Sequence, residues 1–408
     1  MQFPGIVATD ILLPKAGTDL HKWAVVACDQ FTSQPAYWHE VERTVGDAPS
    51  TLRLMQPEVF LEQGDRTAEV NATMRQYLDD GTLQTAVHNG FIVVERTTES
   101  GKRLGLMAAL DLECYDFTTG TLLTRATEGT VQDRLPPRVK IRQDAPVEMP
   151  HVLVLIDDPD RTVIEPLYEQ KINTAPLYDV ELMQNGGHLR GFAVESEVDK
   201  QALSQALSAL YEKADGFLYA VGDGNHSLAT AKICWETLKA TLSPEEQADH
   251  PARYALVELE NLHDSAILFE PIHRVVFHVD AEDLMRAFAN YVTAQGMSLV
   301  DGEEIVFVGY RGVALAKAGG MLPIAVLQNF LDEYVPAHGA SVDYIHGEEA
   351  VRELSEPADA LGILLKGIPK DGFFDGIRAG GHFPRKTFSM GEAHEKRYYM
   401  ETRRLTSI

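Results

Sequence analysis

The sequence predicts an α+β protein of two lobes, with mixed sheets and flanking helices. Three observations carry that prediction. Short, β-branched apolar runs separated by turn residues recur along the 408-residue chain and read as strands. Other stretches repeat their apolar residues at helical spacing. One segment, from Phe217 to Leu238, joins both patterns directly through a glycine-rich turn.

Taken in order, Trp23 to Ala27, Phe91 to Val94 and Leu104 to Leu112 are apolar runs, and Asp116-Phe-Thr-Thr-Gly120 is a turn. Tyr37 to Val45 and Ala68 to Leu78 read as helices, the second ending at Asp79-Asp80-Gly81. This mixed region forms an N-terminal lobe, residues 1–148. Near its end the bend Leu135-Pro136-Pro137 leads into Arg138-Val139-Lys140-Ile141-Arg142, whose alternation predicts a strand with three cations on one face. Pro146 and Pro150 bracket the boundary with a C-terminal lobe, residues 149–408.

In that lobe Val152 to Ile156 reads as a buried strand ending in Asp157-Asp158-Pro159. Leu203, Leu207, Leu210 and Tyr211 mark a helix closed by Gly216. Phe217 to Val221 is a strand, Gly222-Asp-Gly-Asn-His226 a turn, and Leu228, Ala231, Cys234, Trp235 and Leu238 the apolar face of the next helix. Further strands are expected at Ala266 to Phe269, Ile305 to Val308, Tyr344 to Ile345 and Leu361 to Leu365. Helices are expected at Glu282 to Thr293, Ala325 to Tyr334 and Glu348 to Leu354, and from Glu392 a terminal helix whose residues Lys396 to Arg404 face solvent.

Sixty-one acidic side chains against 36 basic ones give a formal charge of −25. Backbone phosphates are held by clustered Lys and Arg, so this balance excludes a generally basic nucleic-acid binder. A small anion remains admissible, because a local basic cluster dominates within a screening length of about 8 Å. Two such clusters interrupt the acidic background, at Arg125 to Arg142 and Arg378 to Arg404. No run of about 18 apolar residues predicts a membrane span. Three scattered cysteines, Cys28, Cys114 and Cys234, suggest neither a disulfide framework nor structural zinc, and a cytoplasmic setting is expected.

The turn carries the chemistry. Glycines between a strand and a helix allow positive φ, and the first helical N–H groups then face outward with the helix dipole behind them. Phosphates and carboxylates bind such places. The spacing is neither a Walker A loop nor a Gly-x-Gly-x-x-Gly fingerprint, and a capped tight turn with Asp223 or Asn225 as N-cap is the alternative. In the anion reading Gly222, Gly224, Asn225 and Ser227 cradle the ligand, and His226 reaches it from the first helical turn.

The segment Phe217 to Ala231 resembles the hallmark of the family called domain of unknown function 1015, roughly Ala-Asp-Gly-His-His-Arg-x-x-x-Ala. Pro271-Ile-His273-Arg274 resembles its Pro-Thr-His-Arg element, and Phe383-Pro-Arg-Lys386-Thr387-Phe388 its Pro-x-Lys-Ser-Thr element. Asn225 and Ser227 stand where that family has His and Arg, and Cys28-Asp-Gln-Phe31 replaces its Pro-Pro-Tyr-Asp. The hallmark is also similar, over about a dozen residues, to the Gly-x-His-Arg turn of the sulfiredoxin and ParB-like superfamily, which implies a nucleotide site and, in some members, kinases of free serine. Since Ser227 supplies one neutral hydroxyl in place of a bidentate guanidinium, another basic group must substitute.

The candidates for that charge are Arg125 and Arg134, in the Thr-Glu-Gly-Thr loop, and Lys386 beside Thr387. For Arg138, Lys140 and Arg142 together, pairing with carboxylates of the protein is the expected use, and a substrate phosphate or carboxylate is the alternative. Asp223 is assigned as base or metal ligand, with Glu128 second, His226 and His273 as proton donors or acceptors, and Asp157 and Asp158 as ligands for Mg2+. The leading expectation is an enzyme that binds ATP or ADP and a small anionic metabolite, a phosphotransferase. The alternatives are a non-catalytic ligand-binding or regulatory protein, which the missing Arg favours, and a metal-dependent hydrolase built on Asp157, Asp158 and the histidines.

Overall fold

The computed structural model describes residues 3–28, 31, 34–57, 59–60, 64–118, 122–130, 135–149, 151–317 and 321–406. Arg134 lies outside the described residues.

In chain order the elements begin with β1 (Ile6–Val7), β2 (Thr9–Pro14), α1 (Leu20–Trp23), α2 (Pro35–Val45) and α3 (Thr67–Asp79). The long hairpin β3 (Leu83–Thr98) and β4 (Gly101–Asp111) follows, then β5 (Tyr115–Asp116), β6 (Thr124–Ala126), α4 (Leu135–Arg142), β7 (Val147–Glu148) and β8 (Leu153–Ile156). Next come α5 (Ile164–Lys171), β9 (Tyr178–Glu181), β10 (His188–Val194), α6 (Glu197–Lys213), β11 (Tyr219–Asp223), α7 (Asn225–Lys239), α8 (Pro244–Asp249) and β12 (Tyr254–Asn261). The chain continues through β13 (Phe269–Phe277), α9 (Ala281–Ala294), β14 (Ser298–Phe307), β15 (Gly312–Ala316), α10 (Pro323–Ala337) and β16 (Ser341–His346). It ends with α11 (Glu348–Leu354), β17 (Ala360–Leu365), α12 (Phe373–Gly380), β18 (Phe388–Met390) and β19 (Arg403–Arg404).

Two compact units result, one of Met1–Ala126, Thr130–Leu268 and Gly391–Ile408, the other of Thr127–Gly129 and Phe269–Met390. Residue 148 lies inside the first unit, whose sheet runs β5-β6-β11-β8-β12-β4-β3-β10-β9, with β1 on β4 and β2 on β3. Strands from both sides of that position pair directly, Leu256 with Ala109 and Glu258 with Met107. Alternate residues of these strands enter different cores: Ile92, Val94 and Leu256 pack with α2 and α3, whereas Phe91, Val93 and Val257 pack with α6 and α7. A sheet buried on both faces needs apolar residues at successive positions, which is why its strands are continuous apolar runs.

The second unit is a smaller sheet, β15-β14-β17-β13-β16 with β18 on β13. The apolar sides of α9 and α10 cover one face through Phe288, Leu327 and Phe330, and Val351 of α11 packs with Val275 and Leu364. The strand expected at Ala266 to Phe269 begins only at Phe269, because Asp264 accepts a hydrogen bond from Ala266 N (2.9 Å) and holds those residues in a turn.

Two expectations about the basic segments are corrected. Leu135–Arg142 is a helix, not a strand. Pro136 and Pro137 occupy its first turn, where the missing N–H groups cost nothing, and the segment packs on α7 and α3. The helical period puts Arg138 and Arg142, four apart, on one side and turns Lys140 away to pair with Asp65. The C-terminal segment is not a solvated helix either. It runs back through the first unit, pairing at Val25, Leu12 and β7, and buries Lys396, Arg397 and Arg403. Carboxylates answer each of them: Asp223 for Lys396, Glu258 for Arg397 (2.6 Å) and Glu148 for Arg403 (2.7 Å).

Candidate functional site

The predicted strand, glycine turn and helix is present as β11, Gly224 and α7. Gly224 is left-handed (φ 83°, ψ 25°) and is itself the N-cap, in place of Asp223 or Asn225, and no side chain caps the helix. A Cβ added there would meet Val152 Cα at 3.0 Å, so both the backbone angle and the space require glycine. Gly222 is still within β11, and Asn225, His226 and Ser227 make the first turn of α7. The His226 carbonyl accepts a hydrogen bond from Thr230 Oγ1 at 2.7 Å.

Asp223 closes the turn from below. Its Oδ1 accepts from Gly224 N (2.8 Å) and its Oδ2 lies 3.1 Å from Lys396 Nζ. Burial alone would raise this carboxyl, but Lys396 and His151 outweigh it and hold it below the usual aspartate range. His151 Nδ1 in turn shares a 2.6 Å hydrogen bond with the Tyr399 hydroxyl. Burial pushes that phenol up, against the pull of Arg138.

Ser227 lines a cavity of about 430 Å³ that lies within the first unit. Arg138, Arg142, Glu148, His151 and Tyr399 line it too. Glu148 is buried, yet Arg403 and Arg142 outweigh that burial and lower its pKa. Its carboxylate is 2.6 Å from Arg142 and 2.7 Å from Arg403 and accepts from Leu256 N at 2.8 Å. Two arginines against one glutamate among the described lining residues leave this wall positive in a chain of charge −25.

The other predicted site residues stand elsewhere. Arg125 is in β6 opposite Ala220, with its guanidinium over the Phe217 ring (4.4 Å), beside the strand rather than at the turn. Asp157 and Asp158 leave the far end of β8. Asp223 pairs with Leu153 at the near end, which puts them about 13 Å further along the strand. Asp158 accepts from Thr162 N and Val163 N, and Asp157 pairs with His263 (2.7 Å), so both carboxylates serve local structure. Among the described residues no three His, Cys, Asp or Glu side chains form a group able to hold a metal.

His273 and Lys386 belong to the second unit. His273 is buried in β13, its Nδ1 accepts from Leu365 N (3.1 Å), and burial lowers its pKa so that the ring stays neutral. Lys386 takes a left-handed backbone (φ 57°) next to Thr387, whose N–H donates to Glu128 (3.4 Å). Glu128 of the Thr-Glu-Gly-Thr loop and Thr387 of the Pro-Arg-Lys-Thr element thus meet inside that unit.

Sequence reasoning missed His151, Lys396 and Tyr399 as parts of the site and put ligand binding by Arg138 second to internal pairing. A helical reading of residues 135–142 would have set Arg138 and Arg142 apart from Lys140. Nothing local marks Lys396 or Tyr399.

A family described as a protein of unknown function, DUF1015, matches residues 12–359. The chain belongs to that family. No curated protein matches it. Among solved structures, a free serine kinase in complex with AMP shares 12% identity over 74% of this chain and 92% of its own, with a TM-score of 0.39. A conserved hypothetical protein from Pyrococcus furiosus shares 13% over 72% and 90% (TM-score 0.34), and a C-terminally truncated SbnI from Staphylococcus aureus 10% over 70% and 82% (TM-score 0.37). No helix among the described residues is long and apolar enough to cross a membrane.

Proposed function

We propose that the protein binds a small phosphorylated metabolite with its phosphate at the start of α7, and that it acts as a nucleotide-dependent phosphotransferase. One observation carries the reading: Ser227, which stands where the family has arginine, shares its cavity with Arg138 and Arg142. These two guanidiniums, presented four residues apart on α4, supply the charge that Ser227 lacks. The helix start adds N–H groups and its dipole, and the anionic surroundings keep longer polyanions away.

Phosphoryl transfer depends on neutralising charge and orienting the acceptor, and each task has residues here. Arg138, Arg142 and the first-turn amides meet the phosphate. Asp223, held ionised and fixed between Gly224 N and Lys396, accepts the proton of an acceptor hydroxyl. ATP or ADP suits the basic wall. For Mg2+ the only carboxylate at the turn among the described residues is Asp223, whose outer oxygen Lys396 already holds, so no step is assigned to the metal.

A second reading, a non-catalytic ligand-binding protein, is favoured by that same ion pair, since a carboxylate held low is a weak base. The hydrolase built on Asp157 and Asp158 has no such support, because those residues lie at the far end of β8.

Thermal shifts separate these readings. A ligand at 100 times its dissociation constant adds about 2.7 kcal/mol of stability. ATP, ADP and phosphoserine, each with and without Mg2+, are expected to raise the melting temperature of the wild type, and Arg138→Ala to remove most of that shift. If no phosphate compound shifts the wild type, the proposal fails. A shift without turnover of any hydroxyl acceptor selects the non-catalytic reading.

A further inference from the structure

We infer that Glu260 is carried as a neutral carboxylic acid in the folded protein and that its proton latches the C-terminal segment, residues 391–405, so that raising the pH loosens that segment from the glycine turn. The latch stands on the geometry of the first unit alone. Its effect on ligand binding rests on the phosphate reading above.

Three neighbouring strands bring charge to one buried face of the sheet. β3 and β4 set Arg96 directly opposite Arg103, and Glu258 and Glu260 of β12 pair with Met107 and Gly105 of β4. The alternation that turns Ile92, Val94 and Leu256 toward α2 and α3 turns these four side chains the same way, and all are buried. Gly105 leaves room for them, since a Cβ there would overlap the Glu258 carboxylate. The C-terminal segment lies over this face. Its Arg397 meets Glu258 (2.6 Å) and Glu401 (2.5 Å), and its His394 carbonyl accepts from Arg96 (3.2 Å).

With every group ionised, the carboxylates of Glu258, Glu260, Asp264 and Glu401 face the guanidiniums of Arg96, Arg103 and Arg397. That leaves one negative charge in excess in a buried cluster, which is costly, and one bound proton balances it. The hydrogen bonds say which carboxylate holds the proton. Glu401 has Arg397 and the Tyr178 hydroxyl, Glu258 has Arg397, and Asp264 accepts from Leu104 N (3.0 Å) and Ala266 N (2.9 Å). Glu260 has only Arg103 Nε at 2.9 Å, out of line for a hydrogen bond, and neither of its oxygens has a hydrogen-bond partner among the described residues. Burial pushes this carboxyl up to about 8; Glu258 and Asp264 add to that, and Arg103 and Arg397 oppose it only in part.

Once ionised, Glu260 gains from water, and release of the overlying segment admits it. That segment has little backbone pairing to hold it: single bridges at Leu12–Thr402 and Val25–Tyr399 and the two-residue β19 on β7. It carries Lys396 to Asp223 and Tyr399 to His151, so its opening withdraws both from the turn. A folded pKa above the ordinary 4.5 stabilises the closed form below that value, and the gain is lost as pH rises toward about 8.

Hydrogen exchange of residues 391–405 in the full-length protein, corrected for the intrinsic pH dependence of amide exchange, reads this opening. With one proton linked, opening is expected to rise about tenfold per pH unit from pH 6 and to level off above about pH 8. Glu260→Gln keeps the shape of the neutral acid, so its segment is expected to stay protected throughout. Infrared difference spectra against that variant are expected to show the carbonyl stretch of a protonated carboxylic acid at pH 6 and its loss by pH 9. Pyrophosphate affinity, taken relative to the variant at the same pH, is expected to fall in step with opening.

The same pH dependence of exchange in Glu260→Gln would overturn the inference. A variant already open at pH 6 would do so too, because the ionised Glu260 would then be the stabilising form, and so would the absence of the acid band at pH 6. Pyrophosphate binding at no pH would remove the phosphate reading and leave the latch, which exchange measures without ligand.

Discussion

Lys396 Nζ lies 3.1 Å from Asp223 Oδ2, an ion pair that ties the end of the chain to the glycine turn. It fixes the carboxylate of the turn and, with His151 and the Gly224 amide, holds its pKa below the usual aspartate range against the effect of burial. In the phosphotransferase reading Asp223→Asn keeps the ligand-induced thermal shift and lowers turnover by about 10²-fold or more. Lys396→Met acts through Asp223, so the acidic limb of the rate profile moves to higher pH. An unchanged profile would separate Lys396 from the mechanism.

Gly224→Ala must hold a left-handed backbone and press its Cβ against Val152. The backbone term alone costs about 1–2 kcal/mol. Urea denaturation should show at least that loss, together with weaker phosphate binding, because the first turn of α7 is displaced. A neutral effect would contradict the turn geometry.

Glu148 joins Arg142, Arg403 and Leu256 N in a buried cluster. Glu148→Gln leaves the buried Arg403 and the half-buried Arg142 short of a counter-charge, a loss of about 3–5 kcal/mol by analogy with other broken buried pairs. Arg142 also loses its anchor on the cavity wall, so ligand affinity and stability should fall together. A stable variant with unchanged affinity would show that the pair does not position Arg142.

Acid stability depends on Glu395, which accepts from Ser100 N (3.0 Å) and Glu392 N (3.2 Å). Burial alone would raise it, but bonds from Ser100 and Thr98 bring its pKa down to about 2 from the ordinary 4.5. A folded-state pKa below the unfolded one stabilises above the unfolded value, and the gain disappears as pH falls toward the folded value. Stability should therefore decline between about pH 4.5 and 2, and Glu395→Gln should flatten that part of the curve and lower stability at neutral pH.

The elements that were legible are those with local signals, whereas β10, β12 and all but the first residue of β13 were not read from the sequence. The strand at Val152 to Ile156, the turn at Gly224 and the helix from Asn225 each carry their pattern within a few residues. At Arg138 to Arg142 the alternation of charge and β-branched residues imitates a strand, and packing against α7 and α3, with two prolines in the first turn, decides for a helix. The basic C-terminus gave no hint of burial, because the carboxylates that answer it, Asp223, Glu258 and Glu148, are remote in sequence.

By itself the sequence determined the α+β class, the strand-turn-helix unit and the charge imbalance, all of which follow from neighbouring side chains and from sums over the chain. Only the tertiary structure decided which cations serve the turn. It placed Arg138, Arg142, His151, Lys396 and Tyr399 around residues 223–227 and left Arg125, Asp157 and Asp158 elsewhere. The physical reason is that a site is assembled by sheet register and long-range pairing, and neither is written in the spacing of residues along one segment.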